Sequence, residues 1–147
     1  MAIGLNPYLQ FDGTAREAGE FYHSVFGGEL SVMSYAEGMG DENPETKDLV
    51  MHSSLYVARG YHVMIADKSP EMPAPQNGTV SLSTNGEDPS EDQVLKDAWV
   101  KLAEGAEIQM PLEKAPWGDY FGQLVDKFGV TWMFNVGAEQ ASDEGEG

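Results

Sequence analysis

Residues Trp117–Trp132, WGDYFGQLVDKFGVTW, decide how the rest of the chain is read. Ring-bearing and β-branched residues flank the turn Asp126-Lys127-Phe128-Gly129, so Asp119–Val125 and Val130–Val136 are expected to form a closing hairpin. Working backwards, Ala106–Pro111 reads as a strand and Gly105 as a helix stop. Asp88 is the helix cap, with Pro89 at the first helical position and Glu91 three residues on. The expected buried face of that helix is Val94, Leu95, Ala98 and Leu102, with Val100 at its edge. Thr79–Thr84 is the strand before it.

The same order occupies the first half. Leu5–Phe11 reads as a strand, and Thr14 with Glu17 has the spacing of a capping box. Ala15–Phe26 places Ala18, Phe21, Tyr22, Val25 and Phe26 at helical spacing, and Gly27-Gly28 supplies a left-handed stop. Leu30–Tyr35 is a strand, and Glu37–Asp48 is a loop or short irregular helix. Val50–Ala58 and Tyr61–Asp67 form a hairpin about Arg59-Gly60. Strand, capped helix, glycine stop, strand and hairpin thus occur twice. Neither half buries both its helix and its sheet face alone, so an α+β fold is expected: two βαβββ modules whose strands form a curled mixed sheet around a cleft. Module one covers about 4–67, a proline-bearing linker 68–78, and module two 79–137. Together they make one domain, followed by an acidic tail, 138–147, expected to be disordered.

Composition narrows the partners. The chain has 147 residues, enough to bury about two-thirds of its unfolded surface. Eight Lys plus Arg against 25 Asp plus Glu leave a formal charge of -17, which repels nucleic acid and anionic membrane. Zero cysteines removes disulfides, thiolate metal ligands and cysteine nucleophiles. Met1–Pro7 lacks a signal-peptide pattern and no apolar run approaches membrane length, so a cytoplasmic protein is expected. There is no Gly-x-Ser-x-Gly, no His-Glu-x-x-His and no Gly-x-Gly-x-x-Gly, so nothing supports nucleotide-cofactor or methyl-transfer chemistry. The acidic pairs Asp41-Glu42 and Asp143-Glu144 read as solvated charge.

Two stretches carry a family resemblance. Asn6-Pro7-Tyr8-Leu9-Gln10-Phe11, with Ala15-Arg16-Glu17-Ala18 and Phe21-Tyr22-x-x-Val25-Phe26-Gly27-Gly28, resembles the opening of PhnB-like proteins of the vicinal oxygen chelate (glyoxalase, bleomycin-resistance and dioxygenase) superfamily. Trp117-Gly118-Asp119-x-Phe121-Gly122, with Asp126-Lys127-Phe128-Gly129-Val130-x-Trp132, resembles their closing signature. His52 and Asp67 resemble positions flanking the central hairpin, so the likeness spans residues 5–136.

The resemblance implies paired modules and a homodimer. It also raises the divalent cation that many superfamily members hold with His and Glu on module strands. Here those positions fall on Pro7 or Tyr8, on Val80–Ser83 and on Met133. None is a fitting ligand for a hard cation in an oxygen-rich site, so no metal and no other cofactor is expected.

The chain has three histidines. His23, on the first helix, reads as structural. A two-residue turn pairs Val57 with His62 and His52 with Asp67, which sets His52 and His62 on opposite faces; one bulge would reverse this parity. His52 is the catalytic candidate, as an imidazole able to act as acid, base or hydrogen-bond donor, against the alternative of a hydrogen-bonded tie to Asp67 or a nearby loop. The candidate ligand cleft is Tyr8, Ser54, Met64, Ser81, Trp117, Asp119, Phe121, Met133 and Asn135. If Met133 faces inward, so do Thr131 and Asn135, while Trp132 and Phe134 enter the helix-packed core. Asp119 and Asp126 have turn-stabilising alternatives.

Three functional readings follow. The first is a metal-free protein binding a small organic molecule. The second is a metal-dependent glyoxalase-type lyase, dioxygenase or thiol transferase. The third is a drug-sequestering protein of the bleomycin-resistance kind, for which the negative charge suits a cationic guest.

Overall fold

The computed structural model describes residues 5–68, 72–74 and 77–137. The chain divides into two compact units, Met1–Asn77 and Gly78–Gly147. Much of the expected linker and the whole of the expected tail, 138–147, lie outside the described residues.

The first unit runs β1 (Tyr8–Phe11), α1 (Ala15–Phe26), β2 (Glu29–Ser34), α2 (Tyr35–Met39), β3 (Val50–Ala58) and β4 (Tyr61–Asp67). Its sheet has the order β1-β4-β3-β2, with β1 parallel to β4 and the other neighbours antiparallel. The second unit runs β5 (Val80–Ser83), α3 (Pro89–Leu102), β6 (Glu107–Lys114), β7 (Tyr120–Val125) and β8 (Thr131–Val136). Its order β5-β8-β7-β6 repeats the same topology, so the expected duplication is present as two four-stranded mixed sheets.

In each unit the helix covers one sheet face. Leu9, Phe11, Leu55, Val63 and Ile65 are buried with Ala15, Ala18, Tyr22 and Val25 of α1, and Leu124, Trp132, Phe134 and Val136 with Leu95, Ala98, Trp99 and Leu102 of α3. Each large apolar side chain so buried contributes roughly 1.5–3 kcal/mol. Phe21 and Phe26 lie at the margin of the α1 stripe. On α3, Val94 and Val100 are exposed, at 56% and 70%, and the buried face is carried by Trp99 instead. The 95/98/99/102 stripe leaves positions 94 and 100 about a quarter-turn or more off the packed side.

The ends of several elements differ from expectation. β1 begins at Tyr8, because Pro7 has no N–H to give a ladder. Thr14 makes no side-chain cap for α1. That task falls to Asp67, buried at the end of β4, whose Oδ1 accepts from the backbone N–H groups of Gly13 and Ala15 at 2.9 and 3.0 Å. The reciprocal capping box forms at Ser34 and Glu37 and starts α2. α3 ends at Leu102 and not at Gly105. Asp88 caps it as expected, accepting from the Ser90 N–H at 2.9 Å.

β1 is an edge strand, and its outer edge is covered locally. Asn77 accepts from the Gln10 N–H at 2.9 Å and donates to the Gln10 carbonyl at 3.0 Å, so its amide takes the place of a further strand. No helix among the described residues is long and apolar enough to cross a membrane.

Candidate functional site

With α1 on one side of its sheet, strand alternation sends the intervening residues to the opposite face. The register Tyr8↔Met64, Ser54↔Met64, Tyr56↔His62 and Met33↔His52 places Tyr8, His52, Ser54, Tyr56, His62 and Met64 on that face together. The expected separation of the two histidines is therefore overturned. Pairing passes from Ala58↔Tyr61 to Tyr56↔His62, so Val57 is an extra residue on β3 and reverses the parity beyond it. His62, absent from the cleft candidates chosen on sequence, joins Ser54 in a hydrogen bond, Ser54 Oγ to His62 Nε2 at 2.5 Å. Tyr56 meets the His62 ring edge-on at 5.6 Å between centroids, and Tyr8 lies 6.2 Å from the His52 ring. Nothing in the residues themselves marks Val57 as the bulge.

Asp67 is not part of this face. Besides capping α1, its Oδ2 accepts from the Val50 N–H at 3.0 Å, so the carboxylate joins α1, β3 and β4. The considered His52–Asp67 tie does not form, since β3 and β4 turn these two side chains to opposite faces. His23 Nε2 lies 3.1 Å from the Gly28 carbonyl oxygen, on the exposed side of α1.

The second sheet repeats the plan. Ser81↔Met133, Ser83↔Asn135, Phe121↔Asn135 and Gln123↔Met133 place Ser81, Phe121, Met133 and Asn135 on the face away from α3. Asn135 donates to Asp119 at 3.1 Å, and Gln123 donates to Gln109 at 2.7 Å. Trp117 is 62% exposed and packs edge-on against Phe121, with centroids 5.9 Å apart. Trp132 and Phe134 occupy the core face as expected. Asp126 takes the turn role: it accepts from the N–H groups of Phe128 and Val130 at 2.8 and 3.0 Å and from the Trp132 indole at 2.8 Å.

Taken separately, each face offers ring and thioether contact, with hydrogen bonds from imidazole and hydroxyl groups on the first and from hydroxyl and amide groups on the second. The Ser54–His62 pair can also pass a proton.

Residues 4–135 match the profile of the 3-demethylubiquinone-9 3-methyltransferase family. The chain belongs to this PhnB-like family. It is 30% identical to Protein YjdN of Escherichia coli, over 92% of this chain and 97% of that protein. Among solved structures it resembles protein PA1353 from Pseudomonas aeruginosa, with 33% identity, 94% and 100% of the two chains covered and a TM-score of 0.76. The PhnB protein from Bacillus cereus is 26% identical, with 91% and 99% covered and a TM-score of 0.66. A glyoxalase/bleomycin resistance/dioxygenase superfamily member from Sphaerobacter thermophilus shares the fold at 20% identity, with 92% and 99% covered and a TM-score of 0.50.

The positions where the resemblance implies cation ligands hold other chemistry. Tyr8, Ser81 and Met133 offer a phenol, a hydroxyl and a thioether, and no three His, Asp or Glu side chains among the described residues converge as ligands.

Proposed function

We propose that this PhnB-like protein binds small organic molecules on the sheet face turned away from the helix of each unit, without the superfamily's usual metal site. One observation carries the reading. In both units the face opposite the helix is lined by rings, thioethers, hydroxyls and amides, a composition for holding a ligand and not for filling a core. His52 is the candidate acid, base or hydrogen-bond donor. The family description names a methyl transfer, but a chain with no glycine-rich nucleotide loop offers that reaction no support. Homodimer formation and a cytoplasmic location go with this reading, and light scattering would report twice the 16.0 kDa chain mass.

Chemical-shift mapping with a library of small metabolites tests the binding. Shifts should centre on His52, Ser54, Met64, Met133 and Asn135, whereas responses confined to the outer surfaces of α1 and α3 would sink it. Metal analysis of protein purified without chelator tests the other half: a full equivalent of divalent ion, lost in His52→Ala, would overturn the metal-free reading.

A further inference from the structure

The face of the first sheet opposite α1 has a charge pattern that narrows its ligand. Its inner strands β3 and β4 carry His52, Ser54, Tyr56, His62 and Met64 there, without a carboxylate, lysine or arginine. The one acid that register assigns to this face is Glu29, opposite Tyr56 at the start of edge strand β2. A cationic ligand centred on the face has no counter-ion within the inner strands, so ring contact alone would have to offset its desolvation. An anion meets no fixed positive charge and must approach a chain of formal charge -17. An uncharged ligand incurs neither cost. Two phenols and two imidazoles offer ring contacts, with Tyr8 and Tyr56 47% and 50% exposed. The polar contact falls to Ser54 and His62, joined at 2.5 Å. With one hydroxyl proton between them, the pair can accept from a ligand or, with His62 Nε2 protonated, present the Ser54 proton to a ligand oxygen.

We propose that this face takes an uncharged, flat molecule bearing an oxygen, received by the Ser54–His62 pair. The inference rests on the small-molecule reading above and deepens it by naming the ligand class. It also runs against the cationic guest that net charge alone suggested, because the inner strands of this face carry no acid.

Three probes of similar size separate the classes: acetophenone, benzoate and benzylammonium, titrated into the full chain with imidazole and methionine-methyl resonances recorded. Acetophenone should move the His62, His52 and Met64 signals and bind roughly tenfold or more tightly than either charged probe, the factor set by about one uncompensated polar group. Ser54→Ala should weaken acetophenone by about tenfold, the loss of one hydrogen bond. Equal or tighter binding of a charged probe at these residues overturns the ligand class. Unchanged acetophenone binding in folded Ser54→Ala overturns the assignment to the pair, and the wild-type probe series stands whether or not that variant folds. If the metabolite library leaves both sheet faces silent, the underlying function falls; if the library responds there and acetophenone does not, this inference alone falls.

Discussion

Asp67 holds three backbone donors with one buried carboxylate, those of Gly13, Ala15 and Val50. Asp67→Ala would leave those N–H groups without a partner inside the first unit. At about 1–3 kcal/mol for each buried unsatisfied group, the variant should lose roughly 3 kcal/mol or more, read as a lower urea midpoint. Tyr61 is the opposite case. Its hydroxyl is buried without a hydrogen-bond partner among the described residues, and burial pushes its pKa up to about 12. Removing that oxygen in Tyr61→Phe should be neutral or stabilise by up to about 1 kcal/mol at pH 7. Because the folded-state pKa is raised above 10, the phenol's contribution is intact below pH 10 and is lost as pH rises towards 12. Urea unfolding at pH 8, 10 and 11 should show wild type losing more stability than Tyr61→Phe over that window.

At the scale of elements, a glycine and a bulge matter most. Gly122 sits in β7 opposite Phe134, and a Cβ there would come within 2.9 Å of the Trp99 ring and 2.8 Å of the Leu112 Cα. The Trp99 indole, edge-on to Phe134 at 5.3 Å, needs that space. Gly122→Ala should therefore cost roughly 1–3 kcal/mol by overpacking, checked by thermal unfolding with tryptophan fluorescence as the probe. The bulge at Val57 has a larger functional consequence, since it carries His62 to the face that holds Ser54 and His52. The hairpin itself was legible, Val50–Ala58 and Tyr61–Asp67 to the residue, from its alternation and its Arg59-Gly60 turn. The bulge was not, because an extra residue in a ladder depends on how two strands twist together and leaves no composition behind. Capping shows the same division. Asp88 with Pro89 was legible, since donor and acceptor are two residues apart. The cap of α1 was not, since its carboxylate comes from Asp67, 52 residues away from Ala15.

Across the whole molecule, a formal charge of -17 makes repulsion a standing cost of compactness. Lys47 lies 3.4 Å from Asp48, an exposed neighbour pair of small energetic value. Raising salt from low to moderate ionic strength should screen more repulsion than attraction. A gain of about 1 kcal/mol would lift the thermal midpoint by roughly 3 °C; a midpoint that falls with added sodium chloride would contradict this account.

The duplicated order of elements was readable from residues alone, because it arises from short-range periodicity and from glycine, proline and aspartate chemistry near in sequence, whereas the facing of β8 drew on the family resemblance that set Met133 inward. Only the tertiary structure decided that Trp99 and not Val94 or Val100 enters the core, that Asp67 is a structural clamp, and that His62 shares a face with His52. Each of those depends on groups brought together from distant parts of the chain, where register and packing compete and local propensity has no vote.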